Sequence, residues 1–264
     1  MPIHTIREHQ INYEIHGNGP PLLLLHSFLC NTQMWEKQIE ALSKDHRLIV
    51  MDIRGHGKSS PSKPHSIYDL AEDAIGLLDA LNIPTATWLG LSIGGMISMR
   101  AALTHPQRVS GLVLLATDSK SESLLVRIER RLLAKVVKAL GILPVVIPVL
   151  RKMFGKTTHR KQRDLVRTWR GRFLKVHTAS MLNSLTSLLT RDDVTDKLHT
   201  ITVPTLIIHG DEDRAIPVKL GENLKSAMPS ATFKRLSQAG HLVTLESPQY
   251  VNTYIRDFLT SANL

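Results

Sequence analysis

Four consecutive leucines set the terms for this chain. Leu22–Leu25 follow Pro21 and run into His26 with no helical period. Such a run suits a strand covered on both faces, as strands of parallel sheets are. The pattern recurs: Arg47–Asp52, Ala86–Leu91, Val109–Ala116, Val203–His209 and Ala231–Leu236 read as strands, and Ile11–His16 alternates like a half-exposed one. Longer segments with helical spacing lie between them, at Gln33–Lys44, Ser66–Leu81, Ile93–Thr104, Val218–Ala227 and Pro248–Ser261. Strand and helix in alternation predict an α/β chain, with a mostly parallel, doubly wound sheet.

One stretch breaks the rhythm. Residues 118–199 read as helices broken at Gly141, Pro144, Pro148 and Gly155. The charge is concentrated there. The whole chain carries 33 Lys+Arg against 23 Asp+Glu, a formal net charge of +10. Residues 118–195 alone hold 17 basic and 6 acidic residues, so the rest is close to neutral. A composition shift of this kind marks a distinct unit. At 264 residues the chain suits one large domain with an insertion. The expected division is a core of 1–117 and 200–264 and a helical, basic insertion of 118–199, seated at the sheet's carboxyl edge, where open α/β sheets bind ligands.

Composition narrows the function classes. With 42% hydrophobic and 21% charged residues, this is neither a disordered chain nor a coiled coil. A single cysteine, Cys30, excludes an internal disulfide and a cysteine-based zinc site. No His-Glu-x-x-His, Gly-x-Gly-x-x-Gly or Walker pattern occurs, so no metal and no cofactor is expected. The first residues do not read as a secretory signal, and no apolar run is long enough to span a bilayer. The expectation is a cytoplasmic protein.

The chemistry-bearing motif is Gly90-Leu91-Ser92-Ile93-Gly94, placed where a predicted strand passes into a predicted helix. A serine on so sharp a turn needs glycines two positions either side, because side chains there would strike neighbouring backbone. The turn exposes the Ser92 hydroxyl and sets the Ile93 N–H to face a developing oxyanion. An ordinary glycine-rich strand–helix turn is the plain alternative. A serine hydroxyl also needs a base. His241 lies just after the last predicted strand, and Asp213 just after the one before it. The order Ser92, Asp213, His241 puts three reactive side chains at the carboxyl ends of three strands. Asp211 and Asp118 are rival acids at the same edge.

On these residues the chain resembles the α/β-hydrolases of the serine esterase, enol-lactonase and haloperoxidase-like group. His26-Ser27-Phe28, Asp52-Ile53-Arg54-Gly55-His56-Gly57, Gly210-Asp211-Glu212-Asp213 and Gly240-His241 support the resemblance. It implies an eight-stranded sheet with a helical cap, Ser92 as nucleophile, His241 as base and acid, and Asp213 as orienting carboxylate. It implies an oxyanion hole from the Phe28 and Ile93 amides. The group usually has His-Gly where this chain has His26-Ser27, which puts a side chain beside that loop. His26, His56, His209 and Arg54 are expected to be structural.

Serine at the elbow favours an acyl-enzyme route and a small-molecule ester with a small to medium acyl chain. Lactones, thioesters and carbon–carbon bond hydrolysis use the same machinery, and a non-catalytic binding module is the alternative from another class. In the insertion, Leu124, Ile128, Leu132, Val136 and Leu140 fall near one helical face. That face is expected to turn onto the site with the charges in solvent. Two sharper readings are an anionic membrane surface and an acidic partner such as an acyl carrier protein. Nucleic acid is not expected, since no binding module is present.

Overall fold

The computed structural model describes residues 3–264. Eight strands form one sheet: β1 (Ile3–Ile6), β2 (His9–His16), β3 (Pro21–Leu25), β4 (Arg47–Met51), β5 (Ala86–Leu91), β6 (Val109–Leu115), β7 (Thr205–Gly210) and β8 (Thr232–Leu236). Their order is β1-β2-β4-β3-β5-β6-β7-β8. The β1–β2 and β2–β4 pairings are antiparallel, and every other pairing is parallel. The mostly parallel architecture is the one the alternation of strand and helix predicts, and eight is the number of strands the resemblance implies.

The leucine run shows how the sheet divides the molecule. Leu23 and Leu25 join one apolar core with Ile49, Met51, Trp88, Leu112 and Leu114. Leu22 and Leu24 join a second with Leu48, Val50, Leu89, Val113 and Leu115. Side chains alternate across a strand, so a strand covered on both faces must be apolar throughout. Helices α2 (Ile67–Ala80) and α3 (Ile93–Thr104) cover the first face, through Leu70, Leu78, Ile97 and Met99. Ser66 starts α2 with a capping box, its side chain accepting from the Asp69 amide while Asp69 accepts from the Ser66 amide. Helices α1 (Glu36–Leu42) and α11 (Pro248–Ser261) cover the second face.

Two features depart from the sequence reading. The first strand, β1, was not separable from the alternation beginning at Ile11. It turns into β2 through Arg7 and Glu8, at φ 45° and 73°. Two-residue hairpin turns with both φ values positive usually announce themselves by Asn-Gly, and here neither residue does so.

The second concerns the segment between β6 and β7. It holds α4 (Leu124–Leu140), α5 (Val146–Met153), α6 (Lys156–Lys161), α7 (Arg163–Phe173) and α8 (Thr178–Thr190). Gly141 ends α4 at φ 71°, but α5 runs through Pro148. Pro148 is in the first turn of α5, where a missing N–H costs nothing. The predicted inward face of α4 is corrected. Leu124, Ile128, Leu132, Val136 and Leu140 are exposed, while Val137 is buried and Leu133 and Ala134 turn inward beside it. Trp169 and Phe173 of α7 are buried in the second core.

Candidate active site

The parallel register aligns strand ends along one edge. Leu25 pairs with Gly90, Gly90 with Leu114, Leu114 with Ile207, and Ile207 with Phe233. The residues just beyond those ends therefore share one side of the molecule.

Ser92 sits between β5 and α3 with φ 56° and ψ −113°. A non-glycine residue there stores about 1–3 kcal/mol of strain, which the surroundings must hold. They do so on both sides of the peptide. The Ser92 N–H donates to the Leu115 carbonyl at 2.9 Å, and the Ser92 carbonyl accepts from Thr117 Oγ1 at 2.8 Å. The glycines have a steric cause. A Cβ on Gly90 would lie 2.3 Å from the Gly94 backbone, and one on Gly94 would lie 2.1 Å from the Leu25 carbonyl oxygen.

His241 follows β8, and its Nδ1 lies 2.8 Å from Asp213 Oδ2. Asp213 follows β7, where its Oδ1 accepts from the Ala215 and Ile216 amides at 2.8 and 2.9 Å. His209 Nε2 donates to the Ile216 carbonyl at 2.7 Å and stands 3.3 Å from Asp213 Oδ2. Burial pushes the Asp213 carboxyl up, but the charge of His241 and hydrogen bonds from His209 and His241 outweigh it and hold it at about 2. An ionised Asp213 accepts only, so Nδ1 of His241 is the donor, and it is on Nε2 that the neutral form of the ring carries its lone pair.

Ser92 and His241 line one cavity of about 170 Å³, walled by Phe28, Met96, Leu133, Val137, Met181 and other apolar side chains. Among the described residues, no hydrogen bond joins the Ser92 hydroxyl to His241. That contact is often open in free enzymes and closes on the substrate. Phe28 borders the cavity, and Ile93 is the first residue of α3. Neither amide is spent on another hydrogen bond among the described residues. The helix start also carries the positive end of the α3 dipole. Ser27 has a buried hydroxyl with no partner, and Leu29 stands at φ 65°.

The rivals take other partners. Asp211 Oδ1 accepts from the Gln238 amide at 2.9 Å and braces the β7–β8 connection. Asp118 pairs with Arg191 at 3.2 Å. Arg54 is bound to Asp73 in a buried two-point ion pair. His26 Nδ1 donates to the Ser27 carbonyl at 2.7 Å while its Nε2 accepts from the Ile53 amide at 3.0 Å. Burial lowers His26 to about 4 and His56 to about 3. His209, expected to be structural, stands against Asp213 itself. Among the described residues no cluster of His, Cys, Asp and Glu is placed to hold a metal ion.

One contributor has no sequence signature. Glu246 Oε2 accepts from the Gly240 amide at 3.0 Å, and its Oε1 from the Leu242 amide at 3.0 Å, one on each side of His241. The same Oε2 accepts from the Gly155 amide at 2.8 Å and the Thr158 hydroxyl at 2.6 Å. Burial pushes its carboxyl up despite these donors. An acid five residues past a histidine gives no hint of this; only the path of the loop brings it round.

A strained serine between a parallel strand and a helix, with a carboxylate and a histidine beyond the ends of β7 and β8, matches the pattern of an α/β-hydrolase site. A model of the α/β-hydrolase fold family matches residues 20–144 and 146–248, and the chain belongs to that family. It is 30% identical over 251 residues to 3-oxoadipate enol-lactonase 2 of Acinetobacter baylyi, covering 94% of this chain and 92% of that one. Among solved structures, a thermophilic esterase from Thermogutta terrifontis superposes with a TM-score of 0.94 at 27% identity, covering 100% of this chain and 99% of that one. The enol-lactonase from Burkholderia xenovorans LB400 superposes with a TM-score of 0.92 at 28% identity, covering 98% and 100%.

Proposed function

We propose that this chain is a serine esterase, with Ser92 as nucleophile, His241 as general base and acid, and Asp213 as the group that orients and stabilises the imidazolium. The observation that carries the reading is the 2.8 Å bond between Asp213 and His241, whose ring lines the same cavity as Ser92. Ser92 Oγ attacks the ester carbonyl and its proton passes to His241 Nε2. The oxyanion is held by the Phe28 and Ile93 amides. The C–O bond breaks as His241 returns the proton to the leaving alkoxide. Water, deprotonated by His241, then attacks the acyl-enzyme and frees the acid and Ser92.

The cavity supports an apolar acyl part. A space of about 170 Å³ is close to the roughly 150 Å³ that holds a benzene ring, so the acyl group is about six carbons in size. The helices between β6 and β7 act as a cap that supplies the far wall. Lactone opening is the second reading. It is favoured by the 30% identity to a protein named an enol-lactonase, and it differs only in that the leaving alkoxide stays tethered.

The test is hydrolysis of p-nitrophenyl esters across acyl lengths by wild type and Ser92→Ala, with fluorophosphonate labelling of both. Wild type is expected to turn over best near about six carbons, and Ser92→Ala to lose activity and label together. Labelling without ester turnover redirects the search to lactones. Absence of labelling on the folded chain defeats the hydrolase reading and leaves a binding module.

A further inference from the structure

Eight of the eleven large apolar side chains exposed among the described residues lie within residues 124–147. On α4 these are Leu124, Leu125, Ile128, Leu132, Val136 and Leu140; Leu143 and Ile147 stand just beyond. Each is between 40% and 79% exposed. Isolated exposed leucines need no explanation, but a contiguous set of this size marks an interaction surface. A second strip runs along the same outward side. Arg131, Lys135 and Lys138 are exposed there at helical spacing, with Arg151 on α5. These four have no ion-pair partner among the described residues, whereas the nearby acids are already taken. Glu129 is paired with Lys152 at 3.1 Å, and Glu122 with Arg130 at 2.6 Å and Arg191 at 2.9 Å.

We propose that the outward face of α4 and the turn into α5 docks on an anionic phospholipid bilayer. The apolar strip enters the headgroup–acyl boundary and the free cations meet lipid phosphates. A helix with one apolar strip beside one basic strip is the form that lies in such an interface. The charge sign selects the anionic surface.

Two other occupants fit less well. A second copy would set this patch against itself about a two-fold axis, bringing Arg131, Lys135 and Lys138 against their own equivalents. An acidic protein would satisfy the cations, but it needs a shaped seat for the leucines. None of the eight side chains lines the Ser92 cavity, the cleft beside Asp52 and His56, or the cleft beside Trp169 and Tyr250. They protrude, and a fluid interface accepts protruding side chains without shape complementarity. No helix among the described residues is long and apolar enough to cross a membrane, so the attachment is peripheral.

This surface stands apart from the hydrolase reading, since none of its residues belongs to the site. It nonetheless touches it through α4, whose inner side carries Leu133, Ala134 and Val137 to the cavity.

The test is flotation of the full chain with vesicles of phosphatidylcholine alone and of phosphatidylcholine with phosphatidylglycerol, at low and high salt. Two triple variants accompany wild type: Leu125→Ser/Ile128→Ser/Leu132→Ser and Arg131→Glu/Lys135→Glu/Lys138→Glu. All positions are exposed, and thermal unfolding checks that both variants keep the wild-type fold. Wild type is expected to float only with anionic vesicles and less at high salt. Each variant is expected to lose binding by about tenfold or more. Failure of wild type to float with anionic vesicles overturns the proposal. So does flotation unchanged in the serine variant. Concentration-dependent dimerisation of wild type, abolished by the serine variant, would assign the surface to a second copy and overturn it equally.

Discussion

Each oxygen of Asp213 has its own donors. Oδ1 takes two backbone amides that fix the carboxylate, and Oδ2 faces His241 and His209. Asp213→Asn would keep Oδ1 as an acceptor for the amides and turn an NH2 group toward the imidazole. His241 Nδ1 would then have to accept, leaving its proton on Nε2, where a base is required. The expected outcome is a fall in kcat of about ten-thousandfold with the fold intact, read from p-nitrophenyl ester kinetics beside circular dichroism. A loss below about tenfold would mean that Asp213 does not set the tautomer. In the sequence, Asp213 is the favoured acid, with Asp211 and Asp118 as rivals; the amides of Ala215 and Ile216 single out Asp213, and a turn of that kind has no letter code.

Among the elements, α4 shows where pattern reading stops. Its sequence gives two apolar strips, and periodicity cannot say which one meets the protein. The longer strip, with Leu125, Ile128 and Leu132, looks like the core face, yet Val137 is the residue that is 5% exposed. Truncation discriminates the two sides. Val137→Ala is expected to cost about 2 kcal/mol, and Leu132→Ala to stay within about 0.5 kcal/mol, both by chemical denaturation. The reverse ranking would mean that the helix faces the other way. The buried strands were legible because a two-sided apolar strand has no competing explanation. The hairpin joining β1 to β2 was not, because Arg7 and Glu8 make their turn against their own preference. The elbow around Ser92 was legible because sterics leave only glycine for positions 90 and 94. Glu246 was not, since two of its four donors, Gly155 and Thr158, lie far away in the sequence and the nearer two, Gly240 and Leu242, reach it only through the path of the loop.

For the whole molecule, two of the buried histidines at the carboxyl edge, His26 and His56, tie stability to pH. His26 and His56 fall from an ordinary 6.5 to about 4 and about 3 through burial. In the unfolded chain they take up protons as pH falls below 6.5, while the folded protein keeps them neutral. The unfolded state therefore binds more protons, and stability is lost between 6.5 and the folded values. Each histidine contributes a slope of up to roughly 1 kcal/mol per pH unit. Asp213 adds its own loss only lower, from 3.8 down toward about 2. Denaturant midpoints measured from about pH 7.5 to about pH 5 are expected to decline steadily on acidification. A flat profile would show that both rings are protonated in the folded protein.

Glu246 joins two parts of the molecule that lie far apart in the sequence. Through Gly155 and Thr158 it holds the junction of α5 and α6, and through Gly240 and Leu242 it grips the backbone on both flanks of His241. A carboxylate shared in this way is a mechanical fastener. A displacement of that helical junction reaches the histidine's own peptide groups across a single set of hydrogen bonds, with no intermediate residue to absorb it. The α6 end of that helical segment and the backbone beside His241 are accordingly tied to one carboxyl group, and loosening the one would bear directly on the aim of the imidazole.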